Sequence, residues 1–329
     1  MSGVLKLSYS ALTLWERDPD EFFRTRLAAT RAAREPQGAA AAVGSAFDAY
    51  VKDAIVHDLV GTFAPDPDWP ALDSALERSV EEHNRAKAYA DGAYVLEAYR
   101  TSGAYGDLLY ELETYAAERP RFEFTLERTV GGVPISGKPD VQWCDRQGRR
   151  YIYDWKVRGF YSASSTSPSK FYRRCRDGFH GKASRNNGNP HPGYWESACG
   201  VTAGHADGIA ASSADYADQL SVYFWLTGGD VGGEFIGGID ELVSKPVPGA
   251  RPQIRVAELR GPVPALVQRR LLERFQRCWD ALQRNHVFLD LSIADSLEKQ
   301  ERLQRAALLS QGTPEDEWFA KQNRKQFWK

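Results

Sequence analysis

The sequence predicts an α/β fold with a helical N-terminal block, a strand-rich middle, a long irregular insertion and a closing helical part. Three observations predict it. Apolar residues recur at helical spacing through about residue 118; apolar and polar residues alternate between Arg121 and Val157; and a helical pattern returns at Asp215, after a stretch dense in Ser, Gly, Asn and Pro. With 329 residues the chain buries enough surface to fold without staples. We expect a single domain over 1–310: a helical part (1–118), catalytic strands (121–157), an insertion (158–213) and a C-terminal part (214–310). A polar tail, 311–329, follows.

Each element has its own signals. Ser8 and Ser10 are candidate N-caps for a helical pair over Ser8–Ala29, and Pro19 starts its second member. Residues 31–43 read as a loop, leading into a helix that carries Gly44, Phe47, Tyr50, Val51 and Ile55. A proline-marked loop at Pro65, Pro67 and Pro70 precedes two or three helices over 71–118, broken near Gly103 and Gly106. Arg121–Val130, Val133–Trp143 and Arg150–Val157 then read as three successive antiparallel strands. Their turns are Gly131-Gly132 and Asp145–Gly148. Residues 158–213 read as irregular, and an unstructured stretch of that length is usually functional or disordered. A helix over Asp215–Leu226 follows, then strands at Phe235–Leu242 and Gln253–Leu259. Helices at Val263–Asn285 and Ile293–Leu309 close the chain.

Composition excludes several classes. No run approaches the roughly 20 apolar residues of a membrane span, so no membrane partner is expected. The N-terminus lacks a signal layout, and four scattered cysteines suit a reducing cytoplasm rather than a disulfide framework. Net charge is −2, so no global basic footprint for nucleic acid exists. Basic residues are instead concentrated locally. Seven lie between Arg158 and Arg185 against Asp177 alone, and seven arginines lie between Arg251 and Arg277 against Glu258 and Glu273. Such stretches either hold a polyanion or form solvated surface. There is no G-x-S-x-G, no phosphate-binding P-loop and no G-x-G-x-x-G after a strand.

The chemistry-bearing stretch is Gly137-Lys-Pro-Asp140, then Asp154-Trp-Lys156. Residues i and i+2 of a strand share a face, so Asp154 and Lys156 project together and Trp155 points the other way, into the core. Asp140, ending the neighbouring strand, is brought beside Asp154 by the hairpin. Two hard carboxylates and the Trp155 carbonyl suit Mg²⁺ or Mn²⁺. The alternative is an Asp–Lys surface pair.

These residues resemble the PD-(D/E)xK nuclease superfamily. Three further features resemble its RecB-like exonuclease branch: Leu7-Ser-Tyr-Ser10 with Leu12, Trp15, Pro19 and Phe22-Phe23; Val43-Gly44-Ser-Ala-Phe-Asp48; and Gln219-Leu-Ser-Val-Tyr223. Gln219 and Tyr223 share a helix face at i, i+4. The resemblance spans residue 7 to about 226. It implies a restriction-endonuclease-like core with a central mixed sheet flanked by helices. It also implies a divalent-metal-dependent DNA nuclease, with the exonuclease chemistry of the branch, in phage or mobile-element replication, recombination, repair or defence. Asp140 and Asp154 would hold the metal with Trp155. Lys156 would position the attacking water. Gln219 and Tyr223 would orient the lysine or the DNA. Asp48 stands where the branch usually carries His and is the less certain ligand, the alternative being a solvated helical acid.

Other implications follow from departures. Asp18 stands near the position of the first cluster cysteine of some members, and no late cysteine triplet exists, so no iron–sulfur cluster is expected. The insertion is longer than usual. Arg158, Lys170, Arg173, Arg174 and Arg176, interleaved with Tyr161, Phe171 and Tyr172, suit contact with a DNA strand. His180, His191 and His205 fit no standard zinc spacing. Glu123 or Glu127 could assist the metal, or be plainly exposed. Without a motor motif, unwinding would need a helicase or recombination partner. A catalytically inactive DNA-binding or assembly subunit, and a hydrolase of another phosphodiester, remain the alternatives.

Overall fold

A computed structural model describes residues 6–27, 36–64, 69–122, 124–162, 172–176, 194–198, 209, 213–246 and 251–284. They fall into two compact units, Met1–Glu35 with Leu126–Gly137 and Gln268–Lys329, and Pro36–Thr125 with Lys138–Val267.

In the first unit, helix α1 (Tyr9–Arg17) begins where the Ser8 hydroxyl accepts the Ala11 N–H at 3.1 Å. Asp18 then caps α2 (Pro19–Phe22), accepting the Glu21 N–H at 2.9 Å. Pro19 sits in the first turn, where its missing N–H leaves no bond unmade. A π-helical turn, Phe23–Leu27, continues the run. Leu12, Trp15 and Phe22 are buried, as their spacing predicts. Strands β2 (Leu126–Val130) and β3 (Val133–Gly137) form a two-stranded hairpin. Its turn glycines, Gly131 and Gly132, both have positive φ. Leu7 adds a short parallel bridge to Ile135. Most of helix α8 (Ala265–Gln283) belongs here, with Arg274 forking onto Glu16 at 2.8 and 2.6 Å.

The second unit is built on a seven-stranded mixed sheet. Its order is β1 (Arg121–Phe122), β4 (Val141–Cys144), β5 (Arg150–Arg158), β8 (Ile236–Lys245), β9 (Gln253–Pro262), β6 (Tyr172–Arg176) and β7 (Tyr194–Ala198). The β5–β8 pair is parallel, and the other pairs are antiparallel. Helices α3 (Ala39–Asp58), α4 (Leu72–Ser79), α5 (Arg85–Thr101), α6 (Ala104–Tyr115) and α7 (Ala214–Leu226) accompany it. Strand β5 is buried from Ile152 through Trp155, as a central strand covered on both faces must be. One core cluster runs from Val43, Phe47 and Ile55 of α3 through Tyr99 of α5 to Trp143, Tyr153 and Trp155. Burying a single large apolar side chain of this kind contributes about 1.5–3 kcal/mol. Gly92 lets α5 close on α3, since a Cβ there would meet the Ala46 Cβ at 2.7 Å.

The structure corrects four element readings. The strand over Arg121–Val130 is two pieces, β1 and β2, in different sheets, and Val133–Trp143 is likewise β3 and β4. The three-strand meander is therefore absent. Pro139 accounts for the second break, because it cannot donate to a ladder and biases Lys138 towards extended backbone. Residues 31–43 are not all loop, since α3 begins at Ala39 after Gly38. The 158–213 insertion is not wholly irregular. It supplies β6 and β7, with β6 pairing to β9. The expected helix Ile293–Leu309 and the polar tail lie outside the described residues.

Candidate active site

The candidate site lies within the second unit, where β5 crosses the turn before β4. Asp140 precedes β4 instead of ending a strand, which corrects the sequence reading. The antiparallel register, with Val141 opposite Tyr153, still carries its carboxylate to β5. Asp140 Oδ2 accepts the Trp155 backbone N–H at 3.1 Å. Asp154 is 3% exposed, and Lys156, two residues on, makes an ion pair with it. Trp155 points the other way into the core, its indole N–H directed at the Tyr99 hydroxyl at 3.4 Å.

Helix α7 supplies the next layer. Its Gln219 and Tyr223 lie one turn apart, and the Gln219 amide donates to the Tyr223 hydroxyl at 2.7 Å and to Asp154 Oδ1 at 3.3 Å. Burial, together with the charges of Asp154 and Asp140, pushes the Tyr223 hydroxyl well above its ordinary range, so it stays protonated.

Helix α3 supplies a residue that the sequence reading passed over. Lys52 is 1% exposed, and its ammonium lies 2.6 Å from Asp48 Oδ2 and 3.1 Å from Asp140 Oδ1. Asp48 therefore reaches Asp140 through a lysine. The signal was present: Asp48 and Lys52 are four apart on one helix face. Lys52 also stands among Ala49, Val51 and Ile55, where a charge is rarely buried unless paired.

The electrostatics divide the two carboxylates. Burial alone would raise Asp140, but the ammonium groups of Lys52 and Lys156 overcome this and hold it below its ordinary value. Burial and the Asp140 charge push Asp154 up to about 8, against the pull of Lys156. Two buried acids side by side cannot both ionise cheaply. A divalent cation removes that conflict. Two carboxylates side by side suit Mg²⁺, which usually takes one or two carboxylates and keeps waters and substrate oxygens as its other ligands. The donor set therefore fits.

A model of the PD-(D/E)XK nuclease superfamily matches residues 6–173, just over half of the chain. The chain belongs to the PD-(D/E)XK nuclease superfamily. Both arms of the motif, Pro139-Asp140 and Asp154-Trp155-Lys156, fall inside the match, and the mixed α/β sheet agrees with a restriction-endonuclease-like fold. No curated protein matches the chain. A solved structure described as "Crystal structure of SSO0001" aligns with 80% of this superfamily member and 84% of its own chain, at 12% identity and a TM-score of 0.25.

The remaining sequence candidates are placed as follows. Arg158 ends β5, its Nε 3.6 Å from Glu241 Oε1 and its guanidinium 4.8 Å over the Tyr216 ring. Arg173, Arg174 and Arg176 lie on β6, where only the backbone is described. Lys170, Glu123 and the insertion histidines lie outside the described residues. Glu127 pairs with Lys6 in the first unit. Asp18 serves as the α2 cap. No described helix is long and apolar enough to cross a membrane.

Proposed function

We propose that this superfamily member is a divalent-metal-dependent DNA nuclease, acting as an exonuclease, with Asp140 and Asp154 as its metal-holding carboxylates. The observation that carries the reading is the pair itself: two adjacent acids, one displaced towards protonation, flanked by Lys156 and Lys52. Mg²⁺ or Mn²⁺ bound there supplies a bound water of lowered pKa and offsets charge on the phosphate.

The chain's own residues do the rest. The Trp155 N–H and Lys52 fix the Asp140 carboxylate, one on each oxygen. Gln219 fixes Asp154 from α7, and the protonated Tyr223 hydroxyl holds Gln219 in turn. The Trp155 carbonyl would be the third protein ligand. Asp48, held by Lys52, would be a less certain ligand, directly or through a water. Lys156 orients the attacking water and places positive charge where negative charge grows on the phosphate. Arg158 and the β6 arginines contact the DNA backbone. Ends are produced in replication, recombination, repair or defence, and a helicase or recombination partner would supply them.

The test incubates the full chain with end-labelled linear duplex, single-stranded and closed circular DNA, in Mg²⁺, Mn²⁺ or EDTA, beside a folded Lys156→Ala variant. Metal-dependent loss of linear but not circular DNA, absent from the variant, is expected. Cutting of circles makes it an endonuclease. DNA binding without cleavage makes it an inactive subunit.

A further inference from the structure

A cleft of about 1040 Å³ opens in the second unit between α3, α4 and the segment leading into β1. Asp48 and Lys52 are part of its lining, and Lys52 also touches Asp140. The cleft therefore borders the candidate metal site. Its wall carries four aromatic rings, Phe63, Trp69, Phe122 and Phe124, with Trp69 and Phe122 edge to face at 5.8 Å. None of the four is fully buried. Once Asp48 is set against Lys52, four cations (Arg78, Arg119, Arg121 and Lys138) face one acid, Glu118. Arg121 lies 4.0 Å over the Phe124 ring, and Arg119 is steadied by the Ala64 carbonyl at 3.0 Å. This local excess stands in a chain whose net charge is −2.

Rings and cations together specify the occupant. Cations alone would suit any polyanion. Rings gain from nucleic acid only when bases are unpaired and offer their faces, because a duplex hides those faces inside its stack. We infer that this cleft binds single-stranded DNA, with bases against Trp69 and its neighbouring rings and phosphates at Arg78 and Arg121, and feeds the strand to the Asp140–Asp154 site. Resting on the nuclease reading for its choice of nucleic acid, the inference adds that the substrate enters as a separated strand. It also adds a strand-contact surface to the basic insertion, to which the sequence pointed.

The experiment measures anisotropy of a labelled deoxy-oligonucleotide in EDTA, as a single strand and as a duplex, with a ribo-oligonucleotide of the same sequence. The single deoxy strand is expected to bind tightest. Trp69→Ala should weaken it by about 10-fold, and Trp69→Phe, which keeps a ring, by much less. Arg78→Ala/Arg121→Ala, both at exposed positions, should lower the slope of log affinity against log salt by about 1.4. Equal binding by the wild type and the arginine variant, or a preference for duplex, would overturn the cleft. Tighter ribo-strand binding would overturn its assignment to DNA. Lys156→Ala separates the two readings. It should bind the single strand normally and cut nothing. If it cuts, the nuclease assignment at Asp154–Lys156 fails while the cleft stands. If it is dead but the cleft variants bind as the wild type, the cleft alone fails.

Discussion

Two buried charge clusters sit on adjacent strands of the same sheet, and they are built to opposite ends. On β8 and β9, Asp240 is 2% exposed and lies 2.6 Å from the Arg260 guanidinium. Tyr99 donates to the other Asp240 oxygen. Arg260 also covers the Tyr153 ring at 4.4 Å, and Tyr153 donates to Glu111 at 2.8 Å. Asp240 has a cation in direct contact, and Arg260 is held well above its ordinary range despite burial, chiefly by Asp240. One strand away, Asp154 is equally buried, but its neighbour is a second acid, and its carboxyl is pushed up to about 8. Burial of charge alone does not mark a functional site. Two acids set against each other, kept in place by hydrogen bonds, do.

The first way to break this comparison is to remove one charge from each cluster. Lys156→Ala should cost about 10³-fold in cleavage rate while the melting temperature stays near that of the wild type, because Lys156 is partly exposed and serves the phosphate. Asp240→Ala should do the reverse. It strands Arg260 in the interior, at a cost of about 3–5 kcal/mol in urea unfolding, with kcat preserved in the folded fraction. Parallel losses of activity and stability in both variants would erase the distinction.

Lys52 tests the border between the two kinds of cluster. It is more deeply buried than Arg260, 1% exposed against 11%, and its carboxylates are Asp48 and Asp140. Lys52→Met removes the charge and keeps most of the volume. Metal affinity, read by titration calorimetry with Mn²⁺, should fall by about 10- to 100-fold, the usual effect of losing a group that orients a ligand. An unchanged affinity with lowered stability would make Lys52 a purely structural cation.

How far the sequence reached follows from the same chemistry. The motif residues were legible because strand alternation and helix spacing are local rules. Asp154 and Lys156 share a face at i, i+2, and Gln219 meets Tyr223 at i, i+4. The register that brings Asp140 to Trp155 was legible only in outline. Alternation predicts the hairpin, but Pro139 breaks the strand before Asp140, so the expected meander is longer than the strands the structure holds. Lys52 was missed because an i, i+4 Asp–Lys pair usually lies on a solvated face. Its burial depends on α3 packing beside β5, a tertiary fact. The β6–β9 pairing was invisible for a like reason. Its partners are some 80 residues apart, across a segment whose composition reads as loop.

The smallest expected effect is a dependence on pH that belongs to one cluster alone. Asp154 titrates near 8 in the folded, metal-free protein and near 3.9 in the unfolded chain. Between those values the native state keeps a proton that the unfolded state has lost, so rising pH lowers stability through this group, and the loss is complete above about pH 8. Asp140 is shifted down instead, so its contribution is lost only below the ordinary carboxylate range, outside this window. Asp154→Asn stays neutral at every pH. In EDTA, the melting temperature of Asp154→Asn minus that of the wild type should therefore grow between pH 5 and pH 8, by roughly 2–6 °C. Saturating Mg²⁺ should reverse the difference at pH 8, since only the wild type offers the ionised carboxylate, and binding of the cation stabilises the folded state by mass action. Asp240→Asn should show no such reversal, because Mg²⁺ has no site there to fill. A difference that stays flat with pH in EDTA would mean that Asp140 and Asp154 share their charge without conflict, and the contrast between the two clusters would then rest on geometry alone.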